Sequence, residues 1–266
     1  MFIEKNENGL VYMVSDLIPL RHAFTTRMGG VSTGHLESLN LIRGHGDTPE
    51  NLRENYRRVT ALMGAGPDDC AMTRQVHGNA VRIVTAEDRH RCHENVPYEA
   101  DGVVTATEGL PIFCFTADCV PVLLADPVHR VIGAIHCGWR SSAADILRVA
   151  LEAMASLGAS APDTIAAIGP SIGACCFETD DDVPAALTQL LTRDGAALPD
   201  GLFRRREDGK TLVDLRGANA CRLTQLGVPR EQIDISDECT FCSHDKYWSH
   251  RYTRGVRGSQ ASVIML

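Results

Sequence analysis

Short apolar runs and longer segments with helical spacing alternate along this chain. Four short apolar runs in the centre have the length and composition of buried strands, and they lie at 102–105, 112–116, 121–125 and 131–135. Asp126-Pro127 predicts the turn between the last two. Later runs at 164–168, 233–235 and 261–266 predict three more strands, so we expect a chain rich in β-structure.

Helical signals lie between these runs. A first helix is predicted over about 49–63, because Asp47 or Thr48 can cap it and a proline occupies its first turn. Two more helices are predicted at about 181–193 and 213–226. Ahead of the central strands, the apolar runs 71–76 and 80–84 flank His77-Gly78-Asn79, which predicts a hairpin with His77 at its bend.

The order of these elements indicates the fold class. Strands outnumber β-α-β units, which favours mixed β-sheets flanked by helices in a layered sandwich, of α/β or α+β class, over a doubly wound parallel sheet. No internal repeat of 20–50 residues and no low-complexity linker divides the chain. We therefore predict a single domain over residues 1–266.

Composition narrows the environment and the partners. A formal charge of -8 opposes binding to a phosphate backbone, so nucleic acid is not expected as a partner. The first ten residues carry charges where a signal peptide needs an apolar core, and the longest apolar stretch, 111–127, contains two aspartates. No membrane segment is predicted. Ten cysteines spread over 266 residues fit a reduced, cytoplasmic protein better than a disulfide scaffold.

His136 follows the last central strand directly, and a helix is predicted to begin at Ser141 or Ser142 and to end at Gly158. Free N–H groups at a helix start attract anions, and Arg140 adds a fixed positive charge in the same turn. This segment therefore predicts a phosphate-binding position, with Arg140 and Ser141 as its contacts. A hydrogen-bonded core histidine beside a surface arginine is the alternative interpretation.

Cys119 lies where two predicted strands join, with Asp118 beside it and Pro121 preventing a helix through the join. Zinc readily accepts Cys and His ligands, and two histidines with one cysteine leave a fourth position open, as in catalytic sites. His77 and His136 are the candidate partners of Cys119. Their separations along the chain match no local metal signature, so spacing alone does not select these three residues.

Two further segments carry weaker signals. The pair Cys239 and Cys242 has metal-like spacing, but a structural zinc needs two more ligands and the chain has no second CxxC. His244 and His250 are candidates to complete it, whereas the adjacent cysteines at 175–176 are interpreted as packing residues. The turn 169–173 lacks the Lys-Ser/Thr ending of a P-loop. Arg27, next to two glycines, is a candidate substrate contact at a pocket mouth, or else a solvated loop residue.

A set of motifs, taken in order, adds what spacing does not. The sequence contains TTRMGGVSTG, SLNL, QVHGNAV, ADGVVT, TADCVPVLLADP, HCGWRSS, IGPSIGACCFE and CTFCSHDKYWSHRYTRG. Together these resemble the laccase-domain family, which is often labelled polyphenol oxidase and whose members are described as purine nucleoside phosphorylases. The resemblance runs from about residue 22 to the end and implies one α/β/α-type domain. It also implies zinc ligands at His77, Cys119 and His136.

The resemblance further implies phosphorolysis of adenosine, inosine, guanosine and methylthioadenosine, with adenosine deamination as an additional reaction. Purine nucleosides and inorganic phosphate are then the expected partners, and the protein is expected as a monomer or weak homo-oligomer. Phosphorolysis needs bound phosphate and stabilisation of the leaving purine, which an open zinc position with Arg140 and Arg27 can supply. The general acid or base stays open between Asp118 and His244. The complete HxE and PCxxC signature of cytidine-type deaminases is absent, because the sequence contains no PCxxC.

Three alternative functions use the same residues. Cys119 as nucleophile with His136 as its base describes a cysteine hydrolase or amidase, which suits the editing of peptidoglycan precursors linked to some members of the family. A copper polyphenol oxidase needs many histidines in HxH pairs, and this chain has no HxH, although copper at Cys119 is chemically reasonable. A non-catalytic metal or redox protein would explain the many cysteines.

Overall fold

Two large β-sheets and one small sheet organise the computed structural model, which describes residues 1–92 and 94–266, with the backbone alone at position 194. Its strands are β1 (Phe2–Glu7), β2 (Leu10–Ser15), β3 (Arg21–Thr25), β4 (Val81–Ile83), β5 (Gly102–Thr105), β6 (Ile112–Thr116), β7 (Val120–Asp126), β8 (Val131–Cys137), β9 (Ile165–Ile168), β10 (Glu178–Thr179), β11 (Phe203–Arg205), β12 (Thr211–Val213), β13 (Ile233–Ile235) and β14 (Gln260–Met265). Its α-helices are α1 (Pro49–Met63), α2 (Trp139–Ala143), α3 (Ile146–Ser156), α4 (Asp182–Leu191), α5 (Leu215–Gln225) and α6 (His250–Thr253).

The first large sheet is antiparallel and has the order β1-β2-β3-β14-β6. The second is mixed and has the order β13-β9-β7-β8-β5-β4, in which the two outer pairs, β13 with β9 and β4 with β5, are parallel. Strands β10, β12 and β11 form the small sheet. Both large sheets are therefore assembled from distant parts of the chain.

Apolar side chains separate these elements into layers. The two large sheets pack face to face over a core that includes Phe24, Ile112, Leu123 and Ile132. Helices α3, α4 and α5 cover the outer face of the mixed sheet, and α1 covers the outer face of the antiparallel sheet. This arrangement confirms the predicted layered sandwich of mixed sheets flanked by helices.

Several elements match the sequence predictions closely. Helix α1 begins where Thr48 accepts a hydrogen bond from the Asn51 N–H, and it ends at Gly64, whose φ of 76° is left-handed. The four central strands, β9, β13, β14 and helices α4 and α5 also lie where they were expected. The Asp126 carboxylate accepts the N–H groups of Val128 and His129, which closes the predicted turn.

Two predicted elements were wrong. Residues 71–76 and 80–84 do not pair with each other; β4 instead lies parallel to β5, and residue 71 forms an isolated bridge with residue 112. The helix expected from Ser141 or Ser142 is divided into α2 and α3, because Asp145 takes a left-handed conformation with φ 64°. Ser141 therefore lies inside α2 and caps neither helix.

Candidate metal centre and adjoining cavities

His77, Cys119 and His136 meet where three parts of the mixed sheet end. His136 lies near the end of β8, Cys119 directly precedes β7, and His77 lies in the loop before β4. One donor atom from each lies within 4.8 Å of the other two, and the two imidazole rings are perpendicular, with centroids 4.8 Å apart. The strands β7 and β8 pair antiparallel, with residue 120 opposite residue 137, so their register alone brings Cys119 close to His136. His77 reaches them from a residue with φ 61°.

The carboxylate of Asp101 fixes two of these three residues, His77 and His136. Buried at the start of β5, it accepts backbone N–H groups from Val76 (3.2 Å), His77 (2.9 Å) and Gly78 (2.7 Å). It also accepts the His136 Nδ1–H at 2.9 Å. Because an ionised carboxylate only accepts, the proton of neutral His136 is held on Nδ1 and Nε2 is left as a donor to a metal. The hydrogen bonds also outweigh burial and hold the pKa of Asp101 below its ordinary value.

Cys119 and His136 form an electrostatic pair. Burial raises the pKa of the Cys119 thiol, but the nearby His136 and His77 outweigh it and lower this pKa to about 6. Burial lowers the pKa of His136, yet Cys119 and Asp101 raise it to about 9. The cluster thus favours a thiolate at Cys119, which is the form that binds a metal or acts as a nucleophile.

These donors fit a transition-metal ion. Thiolate and imidazole are both donors that zinc accepts, and a carboxylate such as the one behind His136 is a usual second partner of a ligating histidine. Gly138 packs against all three, since a Cβ at this position would lie 3.2 Å from the His77 ring and 3.3 Å from the Cys119 sulfur. A side chain there would crowd the cluster.

A cavity of about 370 Å³ opens beside the cluster and is lined by His77, Cys119 and His136. Its other walls combine aliphatic, aromatic and polar side chains, and the last two kinds include Arg43, Tyr56, Thr73, Gln75, Phe115, Thr116 and Arg257. Gln75 fixes Phe115, because its amide both donates to the Phe115 carbonyl and accepts the Phe115 N–H. This volume lies in the range of small-molecule sites.

Three buried polar atoms of the cavity walls have no hydrogen-bond partner within the described part of the chain: Arg43 Nη1, Thr116 Oγ1 and Arg257 Nε. Burial lowers the pKa of Arg257, and the nearby Cys119 and Asp118 partly offset this effect. Unmet buried donors are costly unless a ligand or water satisfies them. The cavity is therefore prepared for a polar, anion-bearing ligand.

A smaller cavity of about 220 Å³ lies on the other side of Cys119, and Asp118, His250 and Arg257 line it. Asp118 has a left-handed φ of 88°, and its carboxylate accepts the Thr240 hydroxyl and the Arg251 N–H, both at 2.6 Å. The predicted candidate for general acid or base is thus adjacent to the cluster but anchored to the chain segment 240–251.

Comparisons with known proteins identify the family of this chain. A family model described as multi-copper polyphenol oxidoreductase laccase matches residues 21–266. The chain belongs to this family. The match confirms the resemblance inferred from the sequence motifs.

Relatives of this laccase-family chain cover its whole length. Purine nucleoside phosphorylase of Bacteroides thetaiotaomicron is 33% identical over 99% of this chain and 98% of its own length. Purine nucleoside phosphorylase of Deinococcus radiodurans is 36% identical over 97% of this chain and 94% of its own. The crystal structure of YlmD from Geobacillus stearothermophilus matches with a TM-score of 0.90 and 29% identity, covering 100% of this chain and 99% of that one.

Within this laccase-family fold, three predicted contacts lie outside both cavities. Arg140 is exposed and stacks on Trp139, with its guanidinium carbon 4.3 Å from the ring centroid. Arg27 is half-buried and stacks on Trp248 at 3.9 Å, donating to the carbonyl of residue 244. Ser141 is buried, and its hydroxyl has no partner among the described residues.

His244, the other candidate acid or base, stacks on Tyr252 with ring centroids 3.5 Å apart.

Three residues of the site, Asp101, Arg43 and Arg257, were not predicted from the sequence. Asp101 carried a local signal, since a carboxylate directly before a buried strand is unusual, but the two arginines are far from the ligands in sequence and offered none. No helix in the described part of the chain has the length and apolar composition to cross a bilayer.

Proposed function

We propose that this chain is a zinc-dependent purine nucleoside phosphorylase acting on adenosine, inosine, guanosine and methylthioadenosine. The observation that carries the proposal is the 370 Å³ cavity beside the His77, Cys119 and His136 cluster, where polar atoms of Arg43, Thr116 and Arg257 have no hydrogen-bond partner among the described residues. The names of the relatives support the reaction class.

Residues of the cavity account for the two substrates. Arg43 and Arg257 offer fixed positive charge and free N–H groups for phosphate, while Phe115 offers an aromatic wall for a purine. In the reaction a phosphate oxygen forms a bond to C1′ of the ribose. The bond from C1′ to the purine nitrogen breaks, and its electron pair leaves with the purine, which takes up a proton.

His77, Cys119 and His136 would hold the zinc ion. Zinc bound there supplies Lewis-acid stabilisation of developing negative charge. Asp101 contributes by keeping His136 in one tautomer and by fixing the loop that carries His77. The arginines bring the phosphate to the same cavity, so that proximity and charge stabilisation act together.

Product analysis tests the proposal directly. Purified full-length protein is incubated with inosine, with and without phosphate, and the products are separated by chromatography. Hypoxanthine and ribose 1-phosphate should form only when phosphate is present. Nucleoside left intact under both conditions would exclude a phosphorylase.

A matched pair of arginine variants tests where phosphate binds. Arg43→Ala removes a charge from the cavity wall, so we expect the KM for phosphate to rise at least about tenfold, since a charge-assisted hydrogen bond contributes ~1.5–3 kcal/mol. Arg140→Ala removes an exposed charge outside the cavity and should leave this KM unchanged. The reverse result would restore Arg140 as the phosphate contact expected from the sequence.

A cysteine hydrolase is the second candidate, and the Cys119 and His136 pair favours it, since the lowered thiol pKa and the raised imidazole pKa describe a thiolate nucleophile beside an imidazolium that has taken up its proton. Metal removal distinguishes the two candidates. Full activity on inosine and phosphate after chelation would exclude the zinc mechanism. Alkylation of Cys119 only after chelation would identify it as a ligand.

Other predictions attached to this family stay proposals. Adenosine deamination would appear in the same assay as inosine formed from adenosine without phosphate. Oxygen uptake with a phenolic substrate by copper-loaded protein would support the polyphenol oxidase alternative, and no turnover of any substrate would support a non-catalytic metal or redox role. A cytoplasmic location, a monomeric or weakly oligomeric state and one domain over residues 1–266 also stay predictions.

A further inference from the structure

Four cysteines converge at a second place in the fold. Cys175 and Cys176 follow the turn after β9, and Cys239 and Cys242 lie between β13 and α6, yet all four Sγ atoms lie within 4.8 Å of one another. Cys242 Sγ is 3.4 Å from Cys176 Sγ and 3.7 Å from Cys175 Sγ. The sequence pair Cys239 and Cys242, which lacked two partners, thus finds them in the pair interpreted as packing residues.

These distances fit a metal better than a disulfide. A disulfide joins its sulfurs at about 2.05 Å. A zinc ion bound to four thiolates at about 2.3 Å places the sulfurs of the tetrahedron about 3.8 Å apart. All four cysteines are free in the structure, and the separations of 3.4 Å and 3.7 Å lie close to the edge length of that tetrahedron.

The surrounding backbone is shaped for the cluster. The Gly173 N–H donates to the Cys239 sulfur at 3.2 Å. A Cβ at Gly173 would lie 3.2 Å from the Cys239 Cβ, 3.3 Å from the Cys175 sulfur and 2.9 Å from a guanidinium nitrogen of Arg216, so only glycine lets the two segments approach this closely. The buried Arg216 donates a hydrogen bond to the carbonyl of Glu238, the residue before Cys239.

We propose that Cys175, Cys176, Cys239 and Cys242 bind a structural zinc ion, separate from the His77, Cys119 and His136 centre. Each thiol that binds gives up its proton to solvent, and all four positions of the ion are filled by protein, so this site has no open position for a substrate. Its role is to join two segments that are more than sixty residues apart in the chain.

Both joined segments donate hydrogen bonds to Asp118, the residue next to Cys119. From the first, the Ile172 N–H donates to the Asp118 carbonyl at 2.9 Å. From the second, Thr240 and Arg251 donate to the Asp118 carboxylate. A zinc ion that cross-links these segments therefore stabilises the left-handed conformation of Asp118 and, through it, the position of Cys119.

Metal counting on the full chain tests the proposal. Protein is purified anaerobically, loaded with zinc, freed of excess metal, and its zinc content is measured by mass spectrometry. We expect two zinc ions per chain in the wild type and one in His77→Ala. Cys242→Ser should also retain one ion, and His77→Ala combined with Cys242→Ser should retain none. The control Cys221→Ser, which changes a cysteine outside both clusters, should keep two.

Cobalt provides a second measurement that does not depend on the folding of the cysteine variant. Cobalt-loaded His77→Ala should show the intense visible bands and the sulfur-to-metal charge transfer of a tetrahedral tetrathiolate site. A His77→Ala protein that binds neither zinc nor cobalt would overturn the proposal, as would iron bound in place of zinc or zinc content unaffected by Cys242→Ser. Because these readouts do not use nucleosides, they are independent of whether the protein is a phosphorylase.

Discussion

Asp101 shows how one residue organises the centre without being a ligand itself. The position of Asp101 directly before a buried strand is its one local signal, and that position does not reveal the three backbone N–H groups and the imidazole that bind it. His77, Cys119 and His136 were selected by the family's motifs, because ligands that meet only after folding have no required spacing. The structure brings their donor atoms together, and the assignment as zinc ligands stays a proposal.

Asp101→Asn should weaken zinc binding by about 10–100-fold, as is typical when the partner behind a ligating histidine is changed. The amide has one acceptor oxygen, and its NH₂ group would face N–H donors. Zinc affinity is measured by competition with a coloured chelator, and circular dichroism confirms that the variant is folded.

Asp126→Asn is the matched control for this experiment. Asp126 is also fully buried, and it accepts three backbone N–H groups and an imidazole Nδ1–H, but it lies at the opposite end of β7 from Cys119. Its substitution should leave zinc affinity unchanged. Equal affinities of the two variants would show that Asp101 does not act through the metal ligands.

At the scale of elements, the errors have identifiable causes. The strands β1 and β2 were not predicted, because β1 lies at the edge of its sheet and exposes almost every side chain, so its sequence lacks the alternation of a half-buried strand. The hairpin before β4 failed since both apolar runs find partners elsewhere, on residue 112 and on β5. The local pattern therefore identified these two runs as apolar but did not identify the segments with which they pair.

The break between α2 and α3 depends on one buried ion pair. Asp145 accepts two hydrogen bonds of 2.8 Å from the buried guanidinium of Arg222 on α5. It also forms salt bridges with the more exposed Arg148 and Arg193. The left-handed conformation of Asp145 therefore stabilises the contact between α3 and α5. Helical spacing of apolar residues does not reveal this, because the partner lies 77 residues away.

Asp145→Asn and Arg222→Gln should each lower the free energy of unfolding by about 3–5 kcal/mol, because each leaves a buried polar partner uncompensated. Asparagine tolerates the left-handed backbone, so the loss reports the ion pair. Arg148→Gln removes a partner of the same carboxylate that is 41% exposed and should cost less than about 1 kcal/mol. Urea denaturation measures all three, and equal losses for the two arginines would contradict the assignment.

At the scale of the whole molecule, the layered packing determines what lies at each end of strands β7 and β8. The mixed sheet lies between the helices α3, α4 and α5 and the antiparallel sheet, and the candidate metal centre lies at one end of β7 and β8. At the other end, the turn at Asp126 joins the two strands. The Asp126 carboxylate also accepts a hydrogen bond from the N–H of Ser160, which lies before β9. Global stability should therefore depend on the charge of Asp126.

The pH dependence of unfolding tests this role. Burial raises the pKa of Asp126, but hydrogen bonds from His129 and Ser160 outweigh it and lower this pKa below its ordinary value of 3.8. The stabilisation is therefore fully present above pH 3.8 and is lost as the pH falls through the folded-state pKa. Asp126→Asn should be less stable than the wild type by about 1.5–3 kcal/mol at neutral pH.

The difference between wild type and Asp126→Asn should shrink as the pH falls below 3.8, since protonated Asp126 also lacks the charge. Urea midpoints measured between neutral and acidic pH give this comparison. Asp200→Asn, at an exposed position, should follow the wild type throughout. A difference that is constant with pH would show that the side-chain amide, and not the carboxylate charge, matters.

The sequence by itself determined the local elements and the chemistry available to them. Helix α1 was predicted from its cap and terminal glycine, and the central strands from their length and apolar composition, because these signals act within a few residues. Histidines and cysteines suited to binding zinc could also be recognised in the sequence. The sequence motifs, in their order along the chain, resembled those of one family, and this resemblance implied the fold.

Only the tertiary structure decided which distant residues meet. Asp101 reaches His136 because β5 pairs with β8, and the pair Cys175 and Cys176 reaches Cys239 because residue 171 bridges to residue 239. Arg43 and Arg257 line one cavity from opposite ends of the chain. Contacts of this kind depend on sheet order and layer packing, which are set by the free energy of the whole core and leave no trace in local periodicity.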